Sequence, residues 1–162
     1  MALSVVARGG GTYVLGDTVV DVQTKTFDFD ADIRPLIGAV SAEIPTFFLT
    51  YAADATVGTR MIVIDLLDSA GTTILLRASS VGTVAASTTT AFSFIPKGFS
   101  TGGAVTLTTG AATTIFYEAW FPGFIVESGM KLRFSVSATG GTAGAGDDMS
   151  VYLHLRALYG NI

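Results

Sequence analysis

The sequence predicts an all-β domain, an antiparallel β-sandwich, because three features recur along it. Apolar and polar residues alternate with a period of two. The apolar runs are short and rich in Val, Ile, Leu, Phe and Thr. Clusters of Gly, Pro, Asp and Ser separate them at close intervals. No helical stripe of useful length interrupts this pattern, and no block repeats at the spacing of a solenoid or propeller. About eight or nine strands with uneven connections favour a jelly roll, with an immunoglobulin-like sandwich as the second arrangement.

The chain divides into an extended N-terminal arm, residues 1–23, and a β-sandwich domain, residues 24–162. In the arm, "MALSVVARGGGTYVLGDTVVDVQ", the glycine triplet separates two small apolar pieces, so the segment suits draping over a neighbour or adding a strand to one. In "KTFDFDA", Phe27 and Phe29 point one way while Asp28, Asp30 and Asp32 line the other, and Pro35 and Gly38 end the piece. "TFFLTYAAD", residues 46–54, starts apolar on both faces. "TRMIVIDLLD", residues 59–68, is apolar on both faces throughout, as a central strand should be. "DSAG" then forms a hairpin loop, and "TTILLRA", residues 72–78, returns.

"STTTAFSFIP" places Phe92 and Phe94 on one face. Two strands flank Gly110, Ala104 to Thr109 and Thr113 to Trp120. In "MKLRFSVSAT", Leu132, Phe134 and Val136 face inward, and Lys131, Arg133 and Ser135 face water. After the glycine-rich loop "GGTAGAGDD", the closing strand "MSVYLHLRALY" puts Val151, Leu153, Leu155 and Ala157 on one face.

Composition narrows the function classes. The 162 residues fit one domain, long enough for a core that needs no staples. Without cysteine there are no disulfides, thiolate metal sites or thiol nucleophiles. Charged residues are only 14%, whereas hydrophobic residues are 49% and the mean hydropathy is +0.57. No window approaches the roughly 18–20 consecutive apolar residues of a spanning helix, so a membrane partner is not expected. Sparse charge points instead to a surface covered by other subunits. The net charge of −4 and the scattered Lys and Arg argue against nucleic-acid binding. The N-terminus lacks the basic start of a signal peptide, so synthesis in a cytoplasm is expected.

No catalytic constellation is present, and the chain is read as a non-enzyme without cofactor. His154, the only histidine, lies opposite the apolar face of the last strand, with no nucleophile or orienting acid singled out for it. Asp28, Asp30 and Asp32 could hold a hard cation, as could Asp147 and Asp148, but neither group matches a known loop. An exposed strand face explains the first group with less, and Arg34 continues it as a charge partner. Glu118 and Glu127 have nothing that places them as a glycosidase pair.

The aromatic run at Tyr117, Trp120, Phe121 and Phe124 reads as core or subunit interface ahead of a sugar platform. The candidate interface residues are Val5, Val6, Tyr13, Val14 and Leu15 in the arm, with Trp120, Phe121 and Phe124 in the domain. No metal ligand or catalytic residue is assigned.

Residues 55–160 carry a family resemblance. The pieces Phe121-Pro122, Phe124 to Val126, Ser128-Gly129, Lys131 to Ala138 and Gly146-Asp147 follow an order of strands and glycine turns. Upstream, "GTRMIVIDLLDSAGTTILLRAS" fits a G-x-R strand followed by a D-x-x-G hairpin. Together these resemble small jelly-roll virion proteins of tailed bacteriophages. "ESGM" stands where that pattern often has a Pro-Gly turn. The resemblance implies a capsid decoration (cement) protein, a homotrimer that binds the major capsid protein on the capsid surface of the virion. The rival expectation is a tail-fibre or other host-recognition module that binds surface glycans through the Trp120 region.

Overall fold

A computed structural model describes residues 4–9, 12–19, 24–80, 83–95, 104–109, 112–121, 123–139 and 146–159. Side chains are described for residues 24–80, 83–95, 121, 123–137 and 146–159. The strands are β1 (Ser4–Gly9), β2 (Thr12–Val19), β3 (Thr24–Asp28), β4 (Ser41–Ala52), β5 (Thr59–Leu67), β6 (Ile74–Ser79) and β7 (Val84–Ala85). They continue with β8 (Thr89–Ile95), β9 (Ala104–Thr109), β10 (Ala112–Trp120), β11 (Phe124–Glu127), β12 (Lys131–Thr139) and β13 (Asp148–Leu158). Among the described residues these thirteen strands exceed the expected eight or nine, because short strands and an added hairpin supplement the long ones.

The strands form two packed sheets. The first has the order β1-β2-β13-β4-β8-β10-β9, with β11 also on β4; the second has the order β3-β12-β5-β6, with β7 also on β5. Eight strands make the frame, β2-β13-β4-β8 facing β3-β12-β5-β6. Between successive frame strands the chain changes sheet at every step except the β5–β6 hairpin, which is the winding of a jelly roll. The β9–β10 hairpin is inserted at one edge, and β10 runs parallel to β8, in contrast to the antiparallel pairing of the rest.

The segment expected as a separate arm carries β1 and β2, and β2 pairs with β13 of the same chain from Thr12↔Arg156 to Val19↔Met149. The sheet is therefore continuous across the expected boundary at residue 23, because β13 offers a free edge that this segment satisfies.

Alternation sets the core. On β13, Met149, Val151, Leu153 and Leu155 are buried, while Tyr152, His154 and Arg156 are exposed. On β5 both faces are buried from Ile62 to Leu67, as its place between β12 and β6 requires. Pro45 lies in β4 where the β13 ladder skips from Thr46↔His154 to Glu43↔Arg156. A proline with no N–H is tolerated at such an irregularity.

Phe47 joins the two sheets. Its ring stacks on Phe94 at 4.2 Å and meets Phe121 edge-on at 5.0 Å and Phe134 at 5.6 Å. Phe121 in turn packs 4.6 Å from Phe124. Phe121 and Phe124 are thus fully buried in the core of the single chain, and their burial requires no partner.

The stretch after β3 departs from the expected strand. The Asp28 carboxylate accepts hydrogen bonds from the N–H of Asp30 (2.9 Å) and Ala31 (3.2 Å) and so caps a π-helical turn, Phe29–Ile33. That turn runs into the short helix α1, Arg34–Ile37. Local capping competes with strand extension at Asp and wins here, and Phe29 and Ile33 still reach the core. Asp28, Asp30 and Asp32 therefore do not line one strand face. Asp32 accepts from the Asp28 N–H (2.8 Å), and Asp30 accepts from the Gly129 N–H (2.8 Å) and the Ser128 hydroxyl (3.0 Å).

Two turns follow the expected chemistry. Gly71 takes φ +74° in the hairpin after β5, where the Asp68 carboxylate accepts from the N–H of Thr72 and Thr73. In "ESGM", Gly129 takes φ +81° and the Met130 N–H reaches the Glu127 carbonyl at 2.9 Å. A glycine at the third position thus lets this turn close without proline.

Candidate functional site

The outer face of the first sheet is built from residues that alternate with the core. β13 contributes Tyr152 and His154, β4 contributes Thr46 and Phe48, and β8 contributes Ser93 and Ile95. Cross-strand register aligns Tyr152 with Phe48 and Phe48 with Ser93, and sets His154 beside Thr46. Together with Phe47 beneath them, these side chains line a shallow groove of about 230 Å³. Its rings are Phe48 and Tyr152, 6.3 Å apart, and its polar groups are hydroxyls and one imidazole. Tyr152 is 37% exposed.

Among the described residues, this groove offers apolar contact and hydrogen-bonding hydroxyls and an imidazole, without a carboxylate, Lys or Arg in its lining. His154 Nδ1 lies 3.4 Å from the Thr46 hydroxyl, a long contact that does not make a base–nucleophile pair. Among the described groove residues, no acid orients the ring. The arrangement suits docking of a surface or a ring.

Charged groups cluster elsewhere. Arg60 points inward from β5 and is fully buried. Its guanidinium donates to Asp147 Oδ2 (3.2 Å) and Oδ1 (3.3 Å), to Asp54 Oδ1 (3.2 Å), and to the carbonyls of Gly58 (3.0 Å) and Thr56 (2.9 Å). Asp147 also accepts from the Tyr51 hydroxyl (2.7 Å) and the Asp54 N–H (2.8 Å). Asp147, left open by the sequence as a cation ligand, is the buried counter-ion of Arg60 and anchors the end of the glycine-rich segment. Burial, and then the neighbouring Asp147 carboxylate, pushes the Tyr51 hydroxyl well above its ordinary value.

A second cluster lies on the outer face of the second sheet. Asp65 is buried between Arg77, whose Nε donates at 2.6 Å, and Arg133, whose Nη2 donates at 2.6 Å. Arg133, expected to face water freely, is thus tied across the strand, because β5 carries a carboxylate at the position facing it. Burial alone would raise the Asp65 carboxyl, but the hydrogen bonds from Arg77 and Arg133 outweigh it and hold the group below its ordinary value. The Gly129 N–H does the same for Asp30. Among the described residues, no group of three or more His, Asp or Glu is placed to hold a metal ion.

Of the candidate interface residues, Val5 and Val6 lie on β1 and Tyr13, Val14 and Leu15 on β2. Trp120 ends β10, where its backbone pairs with Ile95 at the rim of the groove. The side chains of these six residues are outside the described set. Sequence reading overlooked Phe48, Ile95 and Tyr152. The available signal was Phe47-Phe48: two adjacent large rings in one strand leave one of them on the outer face. No protein-family model and no curated protein matches this chain.

Proposed function

We propose that the chain is a structural virion component, a capsid decoration protein that assembles as a homotrimer through the outer face of its first sheet and binds between capsid subunits. The aromatic and hydroxyl-bearing lining described for the Phe48–Tyr152 groove carries this reading. Aromatic residues are enriched at protein interfaces and charged ones depleted at their centres. The jelly roll is compatible with it, although fold alone does not decide function. The mechanism is mechanical. Many modest contacts, repeated by symmetry on a shell, resist outward pressure through multivalency.

The test is sedimentation of the purified protein, followed by its addition to undecorated capsids. A trimer that attaches is the expected result, and Tyr152→Glu should reduce the assembled mass threefold while leaving the circular dichroism unchanged. A monomeric wild type that does not attach overturns the reading. A second reading, glycan recognition, draws on the pairing of two rings with the Thr46 and Ser93 hydroxyls. Glycan-array binding lost in Tyr152→Ala would favour it instead.

A further inference from the structure

We propose that His154 makes the Phe48–Tyr152 groove acid-sensitive: a second copy docked there is held at neutral pH and released as His154 takes up a proton. This inference rests on the assembly reading above and adds a control to it. His154 is the only histidine of the chain. Alternation on β13 places it on the exposed side of the strand, in the lining of the groove. Imidazole is the side chain whose charge ordinarily changes between about pH 5 and 8. The sole group of that kind therefore stands on the face that the second copy covers.

The neighbours decide what a proton does there. On β13 the outward residues beside His154 are Tyr152 and Arg156. Arg156 is a like charge, and it donates to Glu43 of β4. The carboxylate that β4 brings to this side is thus engaged by another cation. Opposite His154 itself, β4 sets Thr46, and β11 brings Glu127 only opposite Ser41, beyond the Glu43–Arg156 pair. β8 contributes Ser93 and Ile95, and Glu118 of β10 lies one strand further out, paired with Ser93. On the other flank, β2 pairs Thr12, Val14 and Gly16 with Arg156, His154 and Tyr152. None of these three is ionisable, and the one charged residue of β2, Asp17, pairs with the core position Val151.

In the open groove, water hydrates an imidazolium. Covering the groove removes that water, and a buried charge without a counter-ion is costly. The neutral ring escapes this cost. Its Nδ1 lies 3.4 Å from the Thr46 hydroxyl, a group that both donates and accepts and so suits either tautomer. The open groove therefore binds the proton better than the covered one. By linkage, association is complete on the alkaline side and is lost as pH falls. One proton excluded from each covered groove lowers the association constant by up to about tenfold per pH unit.

The test is sedimentation of the wild type and of His154→Gln at about pH 7.5 and about pH 5.5, values that bracket the ordinary imidazole range. Glutamine keeps a hydrogen-bonding side chain and carries no charge. The wild-type dissociation constant should rise at least about fivefold at the lower pH, within the limit of one linked proton, with unchanged circular dichroism. His154→Gln should change by less than about twofold, since it has no proton to gain. A wild type equally associated at both values, or a His154→Gln variant that keeps the loss, overturns this inference and leaves the assembly reading standing. A wild type that is monomeric at both values overturns the assembly reading, and this inference falls with it.

Discussion

On the outer face of the first sheet, Phe48 and Tyr152 occupy a central cross-strand pair; on the second sheet, the comparable central pair is Asp65 and Arg133. Both pairs arise from the same alternation of inward and outward residues. Their chemistry then diverges. The Asp65 carboxylate finds its partners on the neighbouring strands, Arg77 and Arg133, and the face is satisfied within the chain. The Phe48–Tyr152 face is built instead from rings and hydroxyls, which gain most from an apolar or hydrogen-bonding cover. One sheet is thus finished by its own charges, whereas the other presents rings and hydroxyls that a second surface would cover under the proposed assembly.

The comparison predicts that charge stabilises this fold where cross-strand partners enclose it, and most where water is excluded from both members. Arg60 and Asp147 set the upper limit, with both side chains fully buried. Asp147→Ala should cost about 3–5 kcal/mol, the usual loss when a buried pair is broken. The guanidinium would keep Asp54 and two carbonyls but lose the partner that also holds Tyr51. Denaturant unfolding measures this, and a loss below that of Asp65→Asn would break the ranking.

Much of the frame was legible because alternation reports burial locally. Val151, Leu153 and Leu155 on β13 and Phe92 and Phe94 on β8 needed only their own strands to be read. The Arg60 cluster was not legible. Arg60 opens an apolar strand where a charge reads as solvent-facing, and its counter-ion lies 87 residues away. The Asp28–Asp32 segment misled for a related reason. A period-two pattern of Phe and Asp also fits a capped turn, and only Ser128 and Gly129, from a distant turn, reveal what Asp30 serves. The groove escaped notice because it needs β4, β8 and β13 side by side, an order set by topology alone.

Asp65→Asn tests the charged face. The loss at neutral pH should be about 1–3 kcal/mol, the range for a buried group deprived of charged hydrogen bonds. Its folded-state carboxyl lies below the ordinary value of 3.8, so the carboxylate form is the one that folding favours. Its contribution is therefore complete above about pH 4, the unfolded value, and is lost as pH falls through the lower folded value. The gap between wild type and Asp65→Asn should accordingly be constant from pH 7 to about 5 and close on further acidification. A gap that widens in acid would show that Asp65 does not carry the face.

The smallest effect should come from the ion pair that borders the aromatic face, Glu43 with Arg156. Arg156 is 60% exposed and Glu43 30%, so solvent screens the pair and both side chains lose entropy in holding it. Arg156→Ala should change the stability of the dissociated chain by less than about 1 kcal/mol, the range of exposed pairs. Its position sharpens the contrast between the faces. Arg156 follows Tyr152 and His154 along the outward side of β13, so it stands at the rim of the groove. A rim charge alters association rate and salt dependence more than the strength of a docked core. Under the proposed assembly, comparing Arg156→Ala at protein concentrations below and above that assembly separates these effects. A stability loss at low concentration larger than that of Asp65→Asn would mean that the first sheet, too, is held together by its own outer charges, and the distinction between the two faces would fall.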